Sequence, residues 1–144
     1  MREQKRLQVG FTMLALTVLL SLPVLGADNP PDLTKGETSG VDRERTYNLG
    51  ATGLRGWITT KPADFFESQQ GRTTTASRQI LVTHVGEKSP ADGVMQVDDV
   101  ILGAGSRPFT DDARKSIALA VQEAEKEANG GRLKLTRWGG GKTE

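Results

Sequence analysis

The chain has 144 residues, a formal net charge of +1 and no cysteine. That charge balance supplies no general pull toward nucleic acid or acidic lipid. The lack of cysteine excludes a disulfide scaffold, and with a single histidine a transition-metal site would need unusual ligands.

Arg2, Lys5 and Arg6 precede "FTMLALTVLLSLPVLG", residues 11–26, an uncharged apolar run that closes in Leu25-Gly26-Ala27. A basic start, an apolar stretch and small residues before a polar segment are the layout of a secretory signal peptide, residues 1–27. The expectation is export to the periplasm, cell surface or extracellular space, with cleavage near Ala27. The run also approaches the roughly 20 residues of a membrane span, so an uncleaved anchor is the other reading. Either way, membrane contact is confined to this segment. Residues 28–42, "DNPPDLTKGETSGVD", are polar and rich in Pro, Gly, Ser and Thr. They read as a flexible linker, with order beginning near Arg43. Residues 43–144 then form one domain of ordinary size.

A short strand is expected at 45–49 and another in "GWITT", 56–60, which is rich in β-branched and aromatic residues. Residues 62–77 show no period and read as a long loop. "RQILVTHV", 78–85, is a strand whose central apolar run implies burial on both faces. A further strand spans 99–104. The segment 111–128 is a helix with Thr110 as N-cap and Asp111 and Asp112 at the positive end of its dipole, stopped by Asn129-Gly130-Gly131. At 100° per residue, Ala113, Ile117, Ala120, Val121, Ala124 and Ala128 make its core stripe. Asp112, Ser116, Leu119 and Glu123 fall on a different face. "RLKLTRW" alternates as a half-buried strand, and residues 139–142 form a hairpin turn into a second strand. The expected core is Ile80, Val82, Ile101, Ile117, Val121 and Leu133.

Catalytic patterns are weak. His84 lies in an apolar strand, where a hydrogen-bonded structural role is expected, and no G-x-S-x-G elbow accompanies any serine. "GGGKTE" matches only the end of a phosphate loop; Thr136 stands where the first glycine belongs, and no helix follows. "GAGS", 103–106, is a turn rather than a dinucleotide fingerprint. Asp98 and Asp99 point to opposite faces of a strand and suit a turn or cap better than a shared-proton dyad.

The middle of the chain reads "VGEKSPADGVMQVDDVILGAG", residues 85–105. Ser89-Pro90-Ala91 suits a serine N-cap, a proline at the first helical position and a small residue for close packing. V-x-x-G-x-x-S-P-A, V-D-D-V-I, G-S-R-P-F and a final helix–strand pair stand in an order that resembles PDZ domains, above all the PDZ-like modules of exported bacterial proteins. The resemblance covers residues 43–144. It implies an α+β fold: a small, partly open antiparallel β-barrel or sandwich flanked by one long and one short helix, its last strand lying beyond Glu144.

The resemblance also implies a non-catalytic module, without cofactor or metal, whose partner is a peptide or protein C-terminus. A glycine-rich loop would donate backbone N–H groups to the terminal carboxylate, and the peptide would add as a strand beside the long helix. The matching residues are Gly53, Leu54, Arg55, Gly56, Trp57 and Ile58. Gly53 and Gly56 would supply the positive φ and close approach of an anion nest, and Trp57 an apolar floor. Arg55 departs from the family pattern as a long cation that pairs with the carboxylate or fills the pocket. Asp112, Ser116 and Leu119 would face the peptide from the helix. Two other readings stand beside this one: an accessory domain of a larger secreted protease or repeat protein, and a structural docking module whose groove is filled by Arg55 or the 62–77 loop.

Overall fold

The computed structural model describes residues 30–60 and 77–144. The signal-like segment 1–27 and nearly all of the loop expected over 62–77 lie outside the described residues.

The fold is α+β. Its strands are β1 (Tyr47–Asn48), β2 (Leu54–Trp57), β3 (Ile80–Val85), β4 (Val100–Ala104), β5 (Arg107–Pro108), β6 (Leu135–Gly139) and β7 (Lys142–Thr143). They form one sheet in the order β1-β2-β3-β4-β6-β7, with β5 paired to β4, and every pairing is antiparallel. The sheet is open, not closed into a barrel. One α-helix among the described residues, α1 (Ala113–Ala124), covers one face.

Both faces of the sheet are covered, and the pleat sorts the side chains between them. Leu54, Ile58, Ile80, Val82, Ile101 and Ala104 join Ala113, Ile117 and Val121 of the helix in the main core. Trp57, Leu81 and Val100 face the other way, where Leu33 closes over them and Val41, Leu102 and Trp138 pack alongside. This is why residues 80–82 are apolar without alternation. Of the expected core, Ile80, Val82, Ile101, Ile117 and Val121 are buried, and Leu133 packs against them half-buried.

Leu33 corrects the reading of residues 28–42 as a linker. It is only 3 % exposed and sits in a one-turn 3-10 helix, Leu33–Lys35, capped by Asp32. Its N–H donates to Gln79 Oε1 at 2.7 Å, and Asp32 Oδ1 accepts from Gln79 Nε2 at 3.1 Å. Ordered structure therefore begins ahead of Arg43.

The helix is shorter than its periodicity suggests. Asp112, not Thr110, is the N-cap, and Ala113 N–H donates to Ser77 O at 2.7 Å. Glu125 ends the helix, and Gly131 N–H returns to Ala124 O at 2.9 Å. The short helix expected after Ser89 is instead a series of turns, with one helical turn closed by Met95 N–H to Ala91 O at 2.9 Å. The hairpin at the C-terminal end forms as expected, with Gly140 and Gly141 both at positive φ between β6 and β7.

Candidate functional site

Strand β2 is where the sequence places a peptide edge. Its residues alternate: Leu54 and Ile58 face the helix, Trp57 faces the Leu33 side, and Gly56 lies against Ile80. Trp57 is 8 % exposed and packs with Leu33, Leu81 and Val100. It cannot floor a pocket beside the helix, because it stands on the opposite face of the sheet from Leu54. Arg55 is exposed, and its Nε donates to Thr46 Oγ1 at 3.0 Å. It neither fills a pocket nor waits over the glycine turn; it grips the preceding strand.

That preceding strand is the decisive feature. β1 pairs antiparallel with β2, Tyr47 opposite Gly56 and Asn48 opposite Arg55. The edge of β2 on which an added strand would lie is thus taken by the chain itself. Residues 47–48, not Arg55, occupy it.

The turn joining β1 to β2 spends its donors internally. Gly50 N–H donates to Asn48 Oδ1 at 2.9 Å, and Leu54 N–H to Thr52 Oγ1 at 3.1 Å. Leu49 N–H donates to Leu54 O at 3.0 Å, and Gly53 N–H to Gly50 O at 3.4 Å. Gly53 does have positive φ (77°), as does Gly50 (71°), but Gly56 does not. Each glycine has a packing reason. A Cβ at Gly53 would stand 2.1 Å from Ser89 Cβ, and one at Gly56 2.4 Å from Ile80 Cγ2. The expected anion nest over residues 53–57 is therefore a close-packed turn, fastened by Gly86 N–H to Gly53 O and Ala91 N–H to Thr52 O. Ser89 Oγ, expected as a cap, is buried and has no hydrogen-bond partner among the described residues.

The helix presents a different face from the expected one. With about 100° between successive residues, Arg114 and Val121 lie about 20° apart, while Leu119 is about 140° from Arg114. Val121 packs by the turn at Gly50 and Arg114 reaches Tyr47. Ser116 and the 66 %-exposed Leu119 instead line a hollow with Gly105, Pro108 and Phe109 beside β5. Ser116 Oγ donates to Asp112 O at 3.2 Å. The structure does not bring Ser116 or Leu119 to β2.

Asp112 is no rim carboxylate either. Its side chain is 1 % exposed. Oδ1 caps Arg114 N–H at 3.0 Å and accepts from Arg114 Nε at 2.9 Å, while Oδ2 takes Arg114 NH2 at 2.5 Å. Burial pushes the carboxyl upward, but these hydrogen bonds and the guanidinium charge outweigh it and hold Asp112 below the usual range. The Asp112 hydrogen bond, chiefly, raises Arg114 in turn. Arg114 is thereby fixed with its guanidinium carbon 5.6 Å from the centre of the Tyr47 ring and NH1 donating to the phenol oxygen at 3.4 Å. Tyr47, Thr46 and Arg114 are the residues that sequence reasoning missed. Asp112-x-Arg114 at a helix start, and the only tyrosine of the chain three residues before a glycine, were the available signals.

His84 is exposed on β3 rather than buried. The acidic pair does divide its labour. Asp98 pairs with Arg43, while buried Asp99 accepts from Gln96 N–H at 2.8 Å and from Arg137 NH1 at 3.3 Å. Among the described residues no group of His, Cys, Asp or Glu is arranged to hold a metal ion, and no helix is long and apolar enough to cross a membrane. The chain matches no protein-family model, no curated protein and no solved structure.

Proposed function

We propose that this chain is a non-catalytic, PDZ-like interaction module of an exported protein, and that it holds an extended segment as an extra strand on β2 beside α1. One observation carries the reading. An extended stretch of backbone, residues 47–48, already lies on β2 in antiparallel register, with a side chain reaching the helix at Arg114. The surface therefore has the dimensions and polarity that strand addition requires. The internally satisfied turn at 49–54 favours an internal extended segment over a free C-terminus as the partner. Export rests on the layout of residues 1–27 and the absence of catalytic role on the sequence patterns; the reading needs neither cofactor nor nucleic acid.

A second reading has support from the same pairing: a docking module whose groove stays filled by its own strand. A peptide-library screen against the full chain separates the two. Selection of extended peptides whose binding perturbs the amide resonances of residues 54–57 supports the first; a screen without binders overturns it and leaves the second. N-terminal sequencing of protein recovered from the native host tests export, and an intact Met1 in the cytosol would contradict it.

A further inference from the structure

The strand on β2 is held in an unusual way for a permanent element. Residues 42–48 are exposed apart from half-buried Thr46, and none carries a side chain into either core. Its ends are turns closed by side chains. Asp42 Oδ1 accepts from Glu44 and Arg45 N–H at 3.0 and 3.3 Å, and Asn48 Oδ1 accepts from Gly50 N–H at 2.9 Å. Beyond those turns the chain is anchored independently, by Val41 and Leu33 on one side and by buried Leu49 on the other. Between the anchors, beside the short backbone ladder to β2, three side-chain contacts among the described residues fasten the strap: Arg43 to Asp98, Arg55 to Thr46, and Arg114 to Tyr47. Such contacts lie at the surface, where each contributes little, and a short exposed strand belongs to the elements that open first.

Resting on the interaction-module reading, we propose that residues 42–48 are a built-in, displaceable occupant of the β2 edge, and that the partner is an extended segment carrying the same chemistry. That chemistry is specific. Tyr47 stands opposite Gly56, where Ile80 fills the space a side chain would take, and its ring lies against the Arg114 guanidinium. The preceding residue lies on the other face, where its hydroxyl accepts from Arg55. Asp112 makes Arg114 a fixed reader: the guanidinium is clamped by the buried carboxylate and offers its remaining surface to the ring. The partner is therefore a strand with a hydroxyl residue followed by tyrosine. While the strap is closed, the apparent affinity for such a partner falls in proportion to the open fraction.

The probe is a fluorescent, end-capped peptide, Asp-Arg-Glu-Arg-Thr-Tyr-Asn-Leu, titrated by anisotropy against the full chain and against the Thr46→Ala, Tyr47→Ala double variant. The double variant is expected to bind it about tenfold or more tightly than the wild type. Replacing the peptide's Tyr by Ala should weaken binding to that variant by about tenfold. Should the double variant fail to fold, Arg43→Ala supplies the comparison, since it removes one exposed contact of the strap and leaves Asp98, Arg55 and Arg114 in place for the peptide. That variant too is expected to bind the probe more tightly than the wild type. Equal affinity of the closed and weakened chains would overturn the strap as competitor. Equal affinity of the Tyr and Ala peptides would overturn the proposed partner chemistry. Either result leaves the module reading standing if library peptides bind at β2, whereas failure of every peptide to bind any of these chains sinks that reading itself.

Discussion

Gly56 lies against Ile80 so closely that a Cβ at position 56 would stand 2.4 Å from Ile80 Cγ2 and 3.2 Å from the Leu81 carbonyl oxygen. Ile80 is fully buried and has little room to move. Gly56→Ala is therefore expected to cost about 1–3 kcal/mol through overpacking. Gly53→Ala should cost more than Gly56→Ala, because it adds a strained positive φ to a clash with Ser89. Urea unfolding of the two variants ranks them; the reverse order would mean that the turn yields more readily than the sheet.

Ile101 is fully buried in the main core, at the centre of β4 between β3 and β6. Ile101→Ala should cost about 2–5 kcal/mol, and Leu133→Ala, at a half-buried position, distinctly less. Denaturant midpoints at constant slope measure both. A loss below about 0.5 kcal/mol at 101 would contradict its central place.

Asp112→Ala removes an N-cap and leaves Arg114 without its buried partner, and about 3 kcal/mol of destabilisation is expected. The pair also gives a pH signature. The folded carboxyl titrates below its ordinary 3.8, so the native state binds fewer protons than the unfolded chain in that range. Its contribution is fully present above about pH 4 and is lost as the pH falls through the folded value. Thermal melts from pH 6 down to pH 2 should fall more steeply for the wild type than for Asp112→Asn. Parallel curves would show that other carboxylates, such as Asp32, which Thr34 and Gln79 also hold low, carry the acid sensitivity.

Leu33→Ala should destabilise the domain by about 2–4 kcal/mol, although it lies in a segment whose composition reads as a linker. Trp57 fluorescence reports the change directly, because Leu33 packs with its ring. An unchanged unfolding midpoint and emission maximum would return residues 30–36 to the status of a tail.

Much of the fold was legible. The β3 and β4 strands, the helix stripe from Ala113 to Ala124, the final hairpin and five buried core residues follow from periodicity and turn chemistry. Trp57 shows where local reasoning stops. Strand alternation separates it from Leu54 and Ile58, but a sheet covered on both faces offers two apolar sides, and nothing local names the one that meets the helix. Asp111 and Asp112 both suit a helix start; the choice is made by Ala113 N–H reaching Ser77, a contact from another part of the chain. Leu33 was hidden because averaging over a polar stretch suppresses one well-placed leucine. The occupant of the β2 edge was illegible for a related reason. A two-residue strand of exposed side chains has no hydrophobic pattern to betray it, and its place is set by hydrogen bonds between backbones.

The closure of Leu33 over Trp57, Leu81 and Val100 has a consequence for the molecule's behaviour among its neighbours. A chain trimmed to begin at Arg43 would uncover a contiguous apolar face on a sheet whose outer strands are short and thinly guarded. Such a surface is a seed for self-association. The short turn ahead of the domain thus acts as its own chaperone, keeping one side of the sheet out of reach of other copies while the opposite side remains sealed by the helix.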